Sequence, residues 1–322
     1  MARLTMESWI PEETGSDVLL KVKRISAIDN FATPIPMLTD TRYVLRDFGT
    51  DVDVTAKGAA YNEDATPNDR VQIDQYKFTR SYRIAEEDLK WGAADMMIQK
   101  RSQFANFFGR KLDNAALGVN AAANAGTVPF TSVYKAVTTA DATTGVSYTA
   151  NANHITAADT VTYQNLSDLF ARLEVGDYYD DAETVVMAND FFRGTLRTMV
   201  DGGGNLIFSE GGQGQAPTLF GKPIIFTKGA TVTTTALAQV PAPPTSGISA
   251  KGAAGNPLII VGNRQHLLMG VPRDRVWAGP SWKVIGPEIS LTDEAVLKCR
   301  AFRGFAVGNP NAFAVLERTR TS

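Results

Sequence analysis

The 322-residue chain contains one cysteine, two histidines and almost no excess charge, and each shortage removes a class of function. Cys299 cannot close an intramolecular disulfide, and within the apolar run "EAVLKCRAF" it reads as a small core residue rather than a nucleophile. A chain with no disulfide framework fits a reducing compartment. His154 and His266 have no His or Cys partner at ligand spacing, which argues against a zinc site and against a histidine-based triad. The 32 Lys and Arg against 34 Asp and Glu leave a net charge of -2, so no global basic field exists to grip a phosphate backbone. No stretch approaches the roughly 20 apolar residues that cross a bilayer. The start "MARLTMESWIPEETG" lacks the basic-then-apolar order of a secretory leader.

Glycine is plentiful at "DGGGNLIFSEGGQGQ", residues 201–215, where a phosphate-binding loop must be considered. A P-loop needs G-x-x-x-x-G-K-[ST], but Gly221-Lys222 is followed by Pro223, and Ala216 stands where the first glycine belongs. The pairs Gly202-x-Gly204 and Gly212-x-Gly214 lack the third glycine of a dinucleotide fingerprint. Gly211-Gly212-Gln213 spells the release-factor tripeptide without the basic ribosome-binding protein that such chemistry requires. The stretch therefore reads as a polar loop, and a glycine-loop nucleotide-binding enzyme is the disfavoured alternative.

Acidic residues offer no better site. Asp177, Asp180 and Asp181 in "GDYYDDAE" lack the alternation of a calcium loop and read as a solvated turn. Glu86, Glu87 and Asp88 fit a helix start, and Trp9, Trp91, Trp277 and Trp282 are scattered as core or interface anchors. No catalytic residue, cofactor or metal ligand is assigned, and the expectation is a protein that is not an enzyme.

The composition, 44% hydrophobic and 20% charged, predicts a folded protein of one elaborate fold or two lobes. Residues 1–38 form an arm with Pro11, Pro34 and Pro36 around "SDVLLKVKRISAI", in which Val18, Leu19, Val22 and Ile25 share a helical face. Alternation at Val52 and Val54 and the run "RVQIDQYKFTRSYRI" predict two strands of a long hairpin about the polar tip "YNEDATPND". A parity change between Ile73 and Tyr76 suggests a bulge near Asp74 or Gln75. A short helix from Ile84 to Gly92 precedes a spine helix over 93–122, about 45 Å long, carrying Met97, Phe104, Phe108, Leu112 and Ala115 at helical spacing. Residues 124–160 read as a Thr/Ala-rich surface excursion with short strands. Helices at 164–175 and 190–200, strands at "TVVMAN", "KPIIFT" and "LIIVGN", a loop over 229–257 and a β-rich end complete an α+β chain.

The order of these elements resembles the major capsid proteins of tailed bacteriophages, with the Hong Kong 97-type fold. The run "TVVMANDFFRGTLRTMVDGGGNLIF" followed by "TLFGKPIIFTKGA" is similar to the strand, helix, turn and strand of that family's axial domain. The ending "CRAFRGFAVGNPNAFAVLE" resembles its final strand pair, and "YRIAEEDLKWGAADMM" its entry into the spine helix. The resemblance implies an N-terminal arm (1–38), an extended hairpin loop (39–83), a peripheral domain with the spine helix (84–160 and 271–305) and an axial domain (161–270 and 306–322). It implies assembly into hexamers and pentamers of an icosahedral shell around double-stranded DNA contacted non-specifically. Portal, scaffolding and decoration proteins are the implied partners, with no membrane, and assembly takes place in the bacterial cytoplasm before residence in the virion.

Subunit-interface candidates are Trp9 in the arm, Lys57 and Tyr61 in the hairpin, and Asp201, Gly202, Gly203, Gly204 and Asn205 in the axial turn. Because the hairpin begins near residue 40, a separate scaffolding protein or none is expected. Some relatives join a hairpin lysine to a neighbour's asparagine; Lys57 is the lysine here, with no matching asparagine or glutamate. The rival of the same fold is an encapsulin-like compartment that houses enzymes.

Overall fold

The computed structural model describes residues 26–46, 52–61, 69–85, 96–124, 126–143, 145–211, 215–237, 240, 250–273, 280–285 and 294–319. The strands form two sheets. In the seven-stranded sheet the order is β4 (His154–Ala158), β13 (Phe313–Thr319), β9 (Leu258–Asn263), β5 (Thr184–Ala188), β8 (Lys222–Phe226), β7 (Thr218–Leu219) and β6 (Phe208–Ser209). Strands β5 and β9 are buried at every residue, so they show no polar alternation. Their side chains nevertheless alternate between two cores. Val186, Ala188, Ile259, Val261, Ala314 and Leu316 pack on one face with Leu166, Leu169, Phe170 and Leu173 of an amphipathic helix, Tyr163–Glu174. Met187, Leu258, Ile260, Phe313 and Val315 face the opposite core, with Leu112, Leu117 and Tyr134. A sheet covered on both faces must read as continuous apolar runs.

In the second sheet the order is β1 (Thr33–Met37), β10 (Leu267–Pro272), β12 (Glu294–Val307), β3 (Asp69–Ala85) and β2 (Thr41–Arg46), with β11 (Ser281–Ile285) also paired to β12. The helices, numbered along the chain, are α1 (Ala27–Phe31), α2 (Met96–Leu117), α3 (Val133–Thr138), α4 (Tyr163–Glu174) and α5 (Arg193–Thr198). The Thr162 hydroxyl and the Asn165 side chain cap α4 reciprocally, an arrangement worth about 1 kcal/mol.

Several expectations from sequence are corrected. The spine helix ends at Leu117, five residues short of Ala122, so its 22 residues span about 33 Å. The cause is close approach: a Cβ at Gly118 would lie 2.1 Å from the Thr231 carbonyl oxygen, and Val119 then bridges to Thr233. The hairpin's first strand, expected in "YVLRDFGTDVDVTAKG" (43–58), is Thr41–Arg46 and does not include Val52 and Val54; it takes up the pairing positions Asp69–Asp74 of β3. Val44, Val71 and Ile73 anchor that register in a small core with Met37, Leu268 and Ala306, whereas Val52 and Val54 are almost wholly exposed. The parity change in β3 coincides with an exchange of partners: Asp74 pairs with Thr41 of β2, and Gln75 with Gly304 of β12. The register through Gln75–Ala85 is unbroken, so a partner switch stands where a bulge was expected.

Residues 124–160 are no surface excursion. Phe130, Val133, Tyr134, Val137, Val146 and Tyr148 are buried, and the segment contributes helix α3 and strand β4. The Thr- and Ala-rich composition masks widely spaced aromatic anchors. The loop 229–257 is likewise internal in part, with Ala230, Thr231, Val232 and Thr233 fully buried. Residues 190–200 divide into a 3-10 turn, Asp190–Phe192, and α5. The short helix expected from Ile84 to Gly92 falls mostly outside the described residues, as do Trp9, Trp91, Trp277 and the Gly212-Gln213 dipeptide; Ile84 and Ala85 are instead the last residues of β3.

Candidate functional site: surfaces for self-assembly

The five axial candidates lie in one turn between α5 and β6. Asp201 Oδ1 accepts from the backbone amides of Gly203 and Asn205, each at 2.8 Å, and Asn205 Nδ2 donates to Asp201 Oδ2 at 3.1 Å. The Asp201 amide donates to the Asn205 carbonyl at 2.9 Å, and Val200 bridges to Leu206, closing a short hairpin. Gly204 sits at φ +84°, where a side chain would be strained. The Asn205 amide, then its side chain, hold the Asp201 carboxyl below the usual range. The turn is thus internally ordered while Gly202, Gly203, Gly204 and Asn205 are exposed. Leu206 at 63% and Val200 at 44% exposure flank it with apolar surface, and Arg197 pairs with Glu210 at 2.6 Å beneath it.

Lys57 and Tyr61 occupy the hairpin of the other sheet, away in sequence and in sheet from the axial turn. Both are exposed, and Lys57 opens a turn in which the Ala59 amide donates to the Ala56 carbonyl at 3.0 Å. Leu45 of β2 and Val52, Val54 and Tyr61 of the loop beyond it, the last 89% exposed, give this hairpin an unusual share of solvated apolar surface. Such surface is uncommon on a folded subunit. A second apolar edge is β11, which pairs only with β12 among the described strands and exposes Trp282 and Val284. The Arg101 guanidinium lies 5.1 Å from the centre of the Trp282 ring. Trp9 lies outside the described residues.

Three buried polar residues that sequence reasoning missed tie distant elements of the chain together. Asp113 on α2 accepts from Ser26 Oγ (2.5 Å), the amides of Ala27 (3.1 Å) and Ile28 (3.2 Å), and Thr227 Oγ1 (2.6 Å). One carboxylate therefore fastens the root of the arm and the end of β8 to the spine helix. Burial pushes its pKa up to about 6 against the pull of those hydrogen bonds. The adjacent Asn114 satisfies its whole side chain, donating to the carbonyls of Gly229 and Thr231 and accepting from Thr233 Oγ1 and the Leu237 amide. The visible signal was the polar pair in "KLDNAALG", inside an otherwise apolar helix face.

Glu317, fully buried on β13, gathers Tyr134 Oη (2.9 Å), Asn256 Nδ2 (2.5 Å) and the Gly252 amide (2.7 Å), with His154 Nε2 3.0 Å away. Burial drives its carboxyl up, but the contacts from His154, Asn256, Gly252 and Tyr134 outweigh burial and hold it below the ordinary value. Burial, then the charge of Glu317, raise Tyr134. This cluster braces α3, β4 and the 250–256 segment. Among the described residues no group of three or more His, Cys, Asp and Glu side chains could hold a metal ion, and no helix is long and apolar enough to cross a membrane.

A subunit with a spine helix between two sheets, an apolar hairpin loop held out in solvent and a self-ordered glycine turn is a structural, self-assembling shell component. The chain belongs to the phage capsid family, which it matches over residues 8–317, and it is a major capsid protein with self-association as its role and the virion capsid as its place. Among solved structures it is similar to one from Mycobacterium phage Adephagia at 14% identity and TM-score 0.68, covering 100% of this chain and 99% of that one. Mycobacterium phage Ogopogo gives 16% identity and TM-score 0.66, over 99% and 100% of the two chains. The capsid of a native GTA particle gives 16% identity and TM-score 0.67, over 98% and 97%. These likenesses establish the shared Hong Kong 97-type fold. No curated protein matches the sequence.

Proposed function

We propose that the chain closes an icosahedral shell through hexamers and pentamers and encloses double-stranded phage DNA. Family membership across residues 8–317 carries this reading. The six-stranded sheet with α2 serves as the peripheral domain and the seven-stranded sheet as the axial domain. Strand β4 belongs with the axial sheet because it pairs with β13. The 201–205 turn then points toward the symmetry axis, and the 52–61 loop reaches over a neighbour. Many modest, symmetry-repeated contacts suffice to close such a shell.

Net charge of -2 suits a lining that touches packaged DNA without sequence preference and without gripping it. Portal protein at one vertex, separate scaffolding or none, and decoration proteins on the outside complete the proposed partners, with assembly in the bacterial cytoplasm. Lys57 is the proposed donor if subunits are covalently joined; a shell that runs as monomer on a denaturing gel rejects that role. Electron microscopy of purified protein tests the main reading. Closed shells with five- and six-fold capsomers are expected, whereas a strictly monomeric sample or shells filled with a cargo enzyme would overturn it.

A further inference from the structure

A groove of 750 Å³ runs between β3 and α2. Its floor is aromatic: Phe78 and Phe108 meet edge-to-face with ring centres 5.3 Å apart, and Phe104 stacks on Phe108 at 6.4 Å. Its rim carries Lys77, Arg80 and Lys111, and no carboxylate lines it among the described residues. None of the three cations makes an ion pair among those residues. The groove thus asks for an acidic segment that also brings an apolar anchor.

The chain itself contains one. Residues 7–17, "ESWIPEETGSD", hold Glu7, Glu12, Glu13 and Asp17 with no lysine or arginine, around the apolar pair Trp9-Ile10 and Pro11. The described chain starts at Ser26, tied to Asp113 on the same helix α2. The nine residues from Asp17 to Ser26 reach about 30 Å when extended. That exceeds the 10–12 Å width of a helix, so the segment can reach the groove of its own subunit or of an adjacent one.

We propose that the groove between β3 and α2 is the docking site of the Glu7–Asp17 segment, with Trp9 against the Phe78–Phe104–Phe108 floor and the carboxylates over Lys77, Arg80 and Lys111. The docking ties the arm to the spine helix a second time, beyond the Asp113 anchor. It stands apart from hexamer and pentamer geometry, because its test reads protein of any assembly state.

The test replaces Trp9 with the photo-cross-linker benzoylphenylalanine in the full-length protein and maps cross-linked peptides by mass spectrometry. Mixing isotopically heavy and light subunits tells same-chain from neighbour docking, either of which supports the site. Cross-links into 76–82 and 103–111 are expected. Their yield should fall at least about tenfold in an Arg80→Glu/Lys111→Glu variant and return when Glu12→Lys/Glu13→Lys is added. That return shows that the charge-reversed protein still folds. No cross-link to the groove, or one from the same probe at Tyr61 in place of Trp9, would overturn the proposal.

Discussion

Asp113→Asn separates the charge of the arm anchor from its shape. Among the described residues the wild-type carboxyl meets two hydroxyls and two amides and no cation, and burial raises it from 3.8 to about 6. That shift corresponds to about 3 kcal/mol of differential preference for the protonated form in the folded state. The sign follows from linkage: between the two pKa values the native state binds more protons than the unfolded chain, so this site adds stability as pH falls from 7 through 6 toward 4. On protonation one of the two hydroxyls, Ser26 on Oδ1 or Thr227 on Oδ2, can turn to accept from the new O–H. Asparagine keeps one acceptor oxygen but turns an amino group toward the Ala27 and Thr227 donors, orphaning about one amide at about 1–3 kcal/mol. The lost charge offsets this at pH 7, so the variant should lie within about 2 kcal/mol of wild type there.

Acidification then splits them. The wild type should gain up to about 3 kcal/mol over Asp113→Asn between pH 7 and pH 4, read by urea unfolding of unassembled subunits at several pH values. Asp113→Ala, which orphans both amides and both hydroxyls, should cost about 3–5 kcal/mol and speed amide exchange at Ala27, Ile28 and the 227–231 segment. Parallel pH profiles for wild type and Asp113→Asn would refute the argument. So would unchanged exchange at Ala27 and Ile28 in Asp113→Ala.

Glu317 has the opposite sign: its folded-state carboxyl lies below the ordinary 4.5, so its contribution is present above that value and is lost as pH falls through and below it. Glu317→Gln should therefore lower stability at pH 7 and flatten the acid limb of a thermal-unfolding series against pH. Asn114→Ala strands two carbonyls, a hydroxyl and the Leu237 amide, and should cost about 3 kcal/mol in denaturant unfolding with the 229–237 segment losing exchange protection first. Gly204→Val forces a β-branched side chain to φ +84°, a strain of about 1–3 kcal/mol confined to an exposed turn. Subunit folding measured by circular dichroism should survive that change while the yield of closed shells in electron micrographs drops.

Legibility in the sequence followed the kind of physics that each element depends on. Helix α4 and strands β5, β8 and β9 were readable because periodicity and apolar runs are local properties, and their observed bounds fall within a residue or two of those expected. The turn over 201–205 was readable as a turn as well, since Asp201 to Asn205 closes on itself. Failures came where a distant partner decides. Val52 and Val54 alternate like a strand, but Thr41–Arg46 had already taken the pairing positions of β3. The spine helix had good helix formers beyond Leu117, yet the Thr231 backbone meets the chain at Gly118 and stops it. Asp113, Asn114 and Glu317 looked like ordinary polar residues because their partners lie between 61 and 183 positions away. Those long-range polar contacts are what bind the arm root, the spine helix and the seven-stranded sheet into one body. Apolar packing alone tolerates small slips that directional buried hydrogen bonds do not. The residues least visible to sequence reasoning are therefore the ones that fix how these elements sit against one another.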